Sequence, residues 1–478
     1  MTWPAVVCWI LILLGVLPRS PLPLLYLCFG FEGIQSLTLL PTAVDGSGLN
    51  LIPQAPCAVF LVCKILLSEG RLPRAVDAAM DPAKLGLLFI FLAYALFSAY
   101  VMPRFFAHMV EVIPMNATVS WKVLLQPTSS NIAQSAYMTL SVGVVLAFSL
   151  AGESASFRRH FMQASLVGGL VLIATGLADL AAAAAGLGGL LEPFRNANYA
   201  LLADAELGGS KRVVGLMPEA SAFGPACVAA AAILAFLRPC FEKLAWRDYL
   251  APLTIAGLLA MAVLSISSTA FGGLAVFAAV YAANWLRRAL SPDAPARDGL
   301  KWEAIAALAA VLVILGVVAL TPDIMNPVYE RIDEVIFKKS ETSSYEGRMM
   351  WTKVAMHAFF ATDGLGVGLG SARTSDWFVA VLSNTGIFPA ALLFGFILRL
   401  YFRRCRAADP RAAEFATALK FGLVPWFAMA AVSWPAPDVG AGVASVLGLI
   451  SCLTSTDVTS SIRFGVAVGR QIRARSRP

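Results

Sequence analysis

Residues 85–100 read LGLLFIFLAYALFSAY, an uncharged apolar stretch closed on one side by Lys84 and on the other, a few residues on, by Arg104. Two comparable runs are Val311–Leu320 and Phe378–Leu398. Segments of this kind, ~20 residues each, match the hydrocarbon thickness of a bilayer. With no water to pair with its N–H and C=O groups, a backbone at that depth has to be helical.

Composition extends the reading to the whole chain. Hydrophobic residues make up 59% of the 478 and charged residues 14%, and mean hydropathy is +0.75. A soluble domain carries about 25% charge. The sequence therefore predicts an all-α, polytopic integral membrane protein forming one domain over 1–456, with a basic tail over 457–478. Helices are expected near 4–17, 22–40, 52–67, 85–100, 133–150, 162–185, 220–237, 249–265, 268–286, 303–320, 378–398, 417–433 and 439–456. If the first two form one hairpin, the count is ~12 or 13 spans. Val6–Leu17 has no basic segment ahead of it and no clear small-residue cleavage site after it, so it reads as part of the mature protein. The eight cysteines show no metal-ligand or disulfide spacing.

Charge sets the expected orientation. Lys64, Arg71, Arg74 and Lys84; Arg158 and Arg159; Arg238, Lys243 and Arg247; Arg287, Arg288, Arg297 and Lys301; and Arg399, Arg403, Arg404, Arg406 and Arg411 fall in short loops that this assignment puts on one side, with Arg463, Arg470, Arg473, Arg475 and Arg477 of the tail. By the positive-inside rule that side is the cytoplasm, and the net charge of +7 needs no nucleic-acid partner. The opposite side carries the longer segments 101–132, 192–219 and 321–377. Within the last, Gly347 to Phe360 has the pattern of an amphipathic helix at the membrane surface.

Two patterns in those outer segments carry the candidate chemistry. The first is Lys211-Arg212, then Gly215, then Pro218-Glu219-Ala220-Ser221 opening an apolar helix. Helix-start chemistry accounts for Pro218 and Glu219 but not for the basic pair. The second is Tyr345-Glu346-Gly347-Arg348, followed by Gly364, Gly366, Gly368 and Gly370 at alternate positions. Such glycines let a backbone bend closely past a ligand, although the P-loop lysine is missing. Arg331, Arg348 and Arg373 share the long loop, and a guanidinium fork matches phosphate oxygens.

On these residues the chain resembles the O-antigen polymerase and O-antigen ligase superfamily, which includes exopolysaccharide polymerases. The resemblance covers roughly 130–400: Arg212 with Glu219-Ala220-Ser221, Gly347-Arg348, Gly364 through Gly370 with Gly386, Ser265 to Thr269 between two helices, and Asn131 to Gln134 opening another. It implies a GT-C-like bacterial inner-membrane glycosyltransferase with short helices in a long periplasmic loop. Its implied substrate is an undecaprenyl-diphosphate-linked oligosaccharide, and its implied neighbours are membrane lipids and chain-length or export proteins. Glu219, Arg348 and Asp376 are the expected catalytic residues. Lys211, Arg212, Ser221, Arg331, Tyr345, Arg373 and Ser375 are the expected substrate-binding residues. Ligases carry a histidine after the glycine turn; here that position is near Ser375, and His108, His160 and His357 lie elsewhere, which favours the polymerase branch. No Asp-x-Asp element stands in the outer loops, so no metal or other cofactor is expected. The rival readings are an O-antigen ligase and, of a different class, a transporter or flippase of lipid-linked sugars, for which Glu32 and Asp179 are the intramembrane acids to watch.

Overall fold

The computed structural model describes residues 1–40, 50–115, 121–197, 201–202, 206–207, 210–291, 299–305, 343–405 and 409–454. The expected helix 303–320 beyond residue 305, Arg331 and the tail 457–478 lie outside them. The described chain is predominantly helical. Its helices are α1 (Trp3–Val16), α2 (Leu22–Gly30), α3 (Gln54–Leu66), α4 (Arg71–Met80), α5 (Gly86–Phe105), α6 (Ser129–Ala151), α7 (Ala155–Ala184), α8 (Ala220–Leu237), α9 (Ala251–Leu264), α10 (Ser268–Ala289), α11 (Ser343–Ala361), α12 (Trp377–Thr385), α13 (Ile387–Phe402), α14 (Pro410–Ser433) and α15 (Gly440–Thr454). Two short antiparallel pairs, Glu111–Val112 with Val123–Leu124 and Glu206–Leu207 with Ser210–Lys211, are the strand ladders among the described residues.

Seven of these helices, α5 to α10 and α14, are long and apolar enough to cross a membrane by length and composition. Shorter apolar helices, α1, α2, α3, α13 and α15, pack among them. Aromatic rings interlock at the centre: Phe161 of α7 meets Phe29 at 5.3 Å, Phe415 at 6.2 Å and Phe148 at 6.3 Å, all edge to face. Small residues let backbones approach. A Cβ on Gly448 would sit 2.6 Å from the carbonyl of Val145, so α15 lies directly against α6.

Three elements depart from the sequence reading. The expected helix 22–40 ends at a single 3-10 turn, Phe31–Gly33. Beyond it the chain is extended because residues 34–38 pair elsewhere: Ser36 N donates to Leu216 O at 3.0 Å and Thr38 N to Asn196 Oδ1 at 2.9 Å. The expected helix 378–398 is two helices, α12 and α13, because Gly386 at φ 90° breaks the run. The basic loop at 71–80 is itself helical, with Ala75 and Ala78 buried.

The bundle has two distinct ends. At one, Arg158 pairs with Asp409 at 3.4 Å, Arg159 with Glu242 at 2.8 Å, and Arg411 with Glu242 at 3.5 Å; Arg74 pairs with Glu153. Arg403 donates there to Ala83 O at 2.6 Å. The short basic loops thus meet at one end. At the other end, α11, α12 and the paired strands Glu111–Val112 and Val123–Leu124 build a cap with its own small core of Met102, Phe106, Val112, Ala355, Ala358 and Val379. Helix α11, the amphipathic stretch of the sequence, packs one face against the strand Glu111–Val112 and α12, burying Ala355 and Ala358, and leaves Met349, Met350 and Phe360 exposed.

Candidate active site at the cap end

The site begins with a buried ion cluster. Asp179, fully buried near the end of α7, accepts from Arg195 at 3.0 Å and Lys211 at 2.8 Å. Its second oxygen takes the N–H groups of Val214 at 2.9 Å and Gly215 at 3.2 Å. A buried carboxylate survives without water only when satisfied in this way. Asp179 is therefore the anchor of the 211–215 segment, and Lys211, expected to bind substrate beside Arg212, is committed to it. Arg212 takes a different direction. Its Nε donates to Ser265 O at 3.2 Å, in the tight α9–α10 turn where Ile266 sits at φ 46°. A β-branched residue in the left-handed region is strained and is held there by its surroundings.

Past this anchor the chain enters α8. Glu219 is the N-cap residue, yet its side chain caps nothing. Its carboxylate accepts the Ser221 hydroxyl and lies 3.6 Å from Arg348 Nη2. Arg348, one turn into α11, also donates to Ser221 Oγ at 2.8 Å. Two residues far apart in sequence and one helix start are thus joined at a single point. Ser375 secures the arginine's backbone, its Oγ donating to Arg348 O at 3.2 Å.

The glycine turn positions a further arginine. Gly364, Gly366, Gly368 and Gly370 all have positive φ, from 77° to 98°. Each of the last three faces protein, where the sequence reading placed a ligand: an added Cβ would lie 2.6 Å from Gly386 N, 2.6 Å from Pro103 Cδ and 2.5 Å from Ser130 O, respectively. Two buried asparagines hold the turn's exit. Asn131 Nδ2 donates to Leu369 O at 2.8 Å, and Asn384 Oδ1 accepts from Ser371 N and Ala372 N at 3.0 Å. Arg373 follows at once, its N–H on Ile113 O at 2.7 Å and its guanidinium 3.9 Å above the Trp351 ring.

Glu219, Ser221, Arg348, Trp351 and Arg373 stand at one part of a cavity of about 1460 Å³. Its lining continues down α8 through Ala222, Ala226, Ala229 and Ile233 and across to Leu423 and Met429 of α14. Arg212 lies outside the lining but within electrostatic reach. Burial pushes the guanidinium pKa of Arg212 and of Arg373 below the ordinary arginine value; Glu219 opposes that shift and Arg348 adds to it. Near Glu219 the charges of Arg212, Arg348 and Arg373 outnumber its one carboxylate, as an anion site requires.

The remaining expected residues fall around this point. Tyr345 is on α11, a turn before Arg348, outside the lining. Asp376 is the N-cap of α12, its Oδ1 accepting from Phe378 N at 2.8 Å and Val379 N at 3.2 Å. Burial raises its carboxyl pKa and those two N–H groups hold it down. That oxygen serves the helix start, and Asp376 is not in the cavity lining, whereas Glu219 is. Sequence reasoning missed Trp351, Tyr137 and Asp438 in the lining; the one available signal was Asp438 standing alone in the short polar break Ser433–Gly440 between two apolar runs. Among the described residues, no group of three or more His, Cys, Asp or Glu side chains gathers as a metal site would. Compared with protein-family models and with curated proteins, the chain matches neither.

Proposed function

We propose that this chain is a bacterial inner-membrane polysaccharide polymerase that extends undecaprenyl-diphosphate-linked glycans at the periplasmic face. The reading rests above all on one observation. Arg348 meets Glu219 and Ser221 beside Arg373, at a cavity whose lining then runs down the apolar side of α8. A cationic mouth on an apolar slot suits an amphiphile with an anionic head. From Ala222 to Ile233 the slot follows α8 for ~16 Å at helical rise, room for several isoprene units.

The chemistry such a site can perform is a glycosyl transfer. The acceptor hydroxyl gives its proton to a base, the role we assign to Glu219. The new glycosidic C–O bond forms as the bond from the donor sugar to diphosphate breaks, and lipid diphosphate leaves. Arginines held in position before the reaction stabilise the charge that develops on the leaving oxygen. The donor is already activated by its diphosphate bond, so neither a nucleotide sugar nor a metal is called for. The basic end of the bundle would face the cytoplasm. A transporter of the same lipids is the second reading, favoured by one feature: the lining extends to Glu32, at the end of an apolar helix.

Purified protein in proteoliposomes, given a lipid-linked repeat and a chelator but no nucleotide sugar, is expected to yield a ladder of extended products. Translocation without extension supports the transporter, and extension that stops on chelation overturns the metal-independent mechanism.

A further inference from the structure

The amphiphile reading accounts for the cationic mouth and the apolar α8 face of the cavity. It leaves unexplained a second wall, built from the Phe31–Gly33 turn, α3, α6 and the segment before α15. That wall carries Glu32, Gln54, Gln134, Tyr137, Asp438 and Trp434.

A count of its hydrogen-bonding groups shows what it lacks. Three of its donors are spent within the protein. Gln54 Nε2 donates to Cys28 O at 3.4 Å, Tyr137 Oη to Asn50 O at 2.6 Å, and Trp434 Nε1 to Asp438 O at 2.7 Å. The acceptors are not. The buried Gln134 Oε1 has no partner among the described residues. The Glu32 carboxylate, which lies against Gly442, takes no hydrogen bond and no ion pair among them. Asp438 uses Oδ1 for Gly440 N at 2.9 Å and Ser141 Oγ at 3.4 Å, and no cation is paired with it among them. Water can satisfy such groups in an open cavity, and a ligand that displaces it has to bring donors of its own to avoid leaving them unmatched.

We propose that this wall binds the sugar end of the substrate, and that it accepts neutral or amino sugars and rejects uronic acids and other anionic sugars. Hydroxyl and ammonium groups would satisfy Glu32, Gln134 and Asp438. A sugar carboxylate would instead meet two uncompensated carboxylates in a poorly screened cavity, where like-charge repulsion is strong. The selectivity would arise from that repulsion as much as from attraction. The inference deepens the lipid-linked glycan reading and rests on it.

The test uses the full chain in detergent and three probes: farnesyl diphosphate, farnesyl diphosphate carrying glucose, and farnesyl diphosphate carrying glucuronic acid. Affinities are read by thermophoresis. The glucuronate probe is expected to bind about tenfold or more weaker than the glucose probe, on the scale of one poorly screened like-charge contact. In Glu32→Gln and in Asp438→Asn that gap should narrow through gained glucuronate affinity, with farnesyl diphosphate binding unchanged. Both substitutions keep shape, and asparagine keeps an oxygen for Gly440 N. Equal binding of the two sugars by the native protein overturns the proposal, as does a gap that persists in both variants. If farnesyl diphosphate itself fails to bind, or binds equally to Arg348→Ala, the lipid-diphosphate reading falls and the sugar wall with it. Head-group binding without sugar discrimination sinks the sugar wall alone.

Discussion

Arg348 is where the sequence motif and the three-dimensional contact coincide, through Glu219, Ser221 and the Ser375 hydroxyl on its backbone. A lysine there would keep the charge but lose the planar fork of donors that matches phosphate oxygens. Arg348→Lys is expected to form polymer about tenfold or more slowly, the loss of one charge-assisted hydrogen bond. Product laddering over time checks this; native-rate extension would reduce Arg348 to a surface charge. Asp179 makes a separate prediction. Replacing it with asparagine leaves Arg195 and Lys211 uncompensated in a buried site, at a cost of about 3–5 kcal/mol. A lowered melting temperature in detergent is the expected readout, and an unchanged one would contradict the anchoring role. Arg212, Glu219, Ser221 and Arg348 were legible because they form short local motifs. Lys211 bonds Asp179 while Arg212 donates to Ser265 O, a divergence the adjacent pair did not reveal, since in an extended segment neighbouring side chains point to opposite faces.

At the scale of elements, the glycine turn lies against protein rather than against open space. Alternating glycines read as room for a ligand, whereas the contacts are with Gly386, Pro103 and Ser130. The turn is a knot that joins the cap to α5, α6 and α12 and delivers Arg373. Gly370→Ala, at φ 84° with Ser130 O 2.5 Å from the new Cβ, is expected to cost about 1–3 kcal/mol of stability. Gly395→Ala, in mid-helix with nothing within 4 Å, is the control and should be neutral to slightly stabilising. Denaturation of both in the same detergent compares them, and equal stability would contradict the knot. Most long apolar helices were legible from their runs alone. The broken helices after Gly33 and Gly386 were not, because both breaks depend on partners remote in sequence: Leu216 and Asn196 in one case, Leu365 in the other.

For the whole molecule, the grouping of the short basic loops was legible from charge, and the ion pairs of Arg158, Arg159 and Arg411 bring those loops together. The cavity was not legible, since its lining draws on residues from Phe29 to Val446. Sidedness has a direct check. With Cys63 replaced, Gly188→Cys at the cap end should react with an impermeant maleimide in intact spheroplasts, and Glu69→Cys at the basic end only after permeabilisation. The reverse pattern would put the cap in the cytoplasm and end the periplasmic account. The central claim, that the arginine cluster and the α8 slot together hold a lipid diphosphate, is tested most directly by a cryo-EM structure of the full chain with an undecaprenyl-diphosphate-linked repeat. The account predicts diphosphate density within hydrogen-bonding reach of Arg348 and Arg373, with the lipid chain descending past Ala222, Ala226, Ala229 and Ile233. Diphosphate bound away from both arginines, or a lipid chain outside that slot, would contradict it.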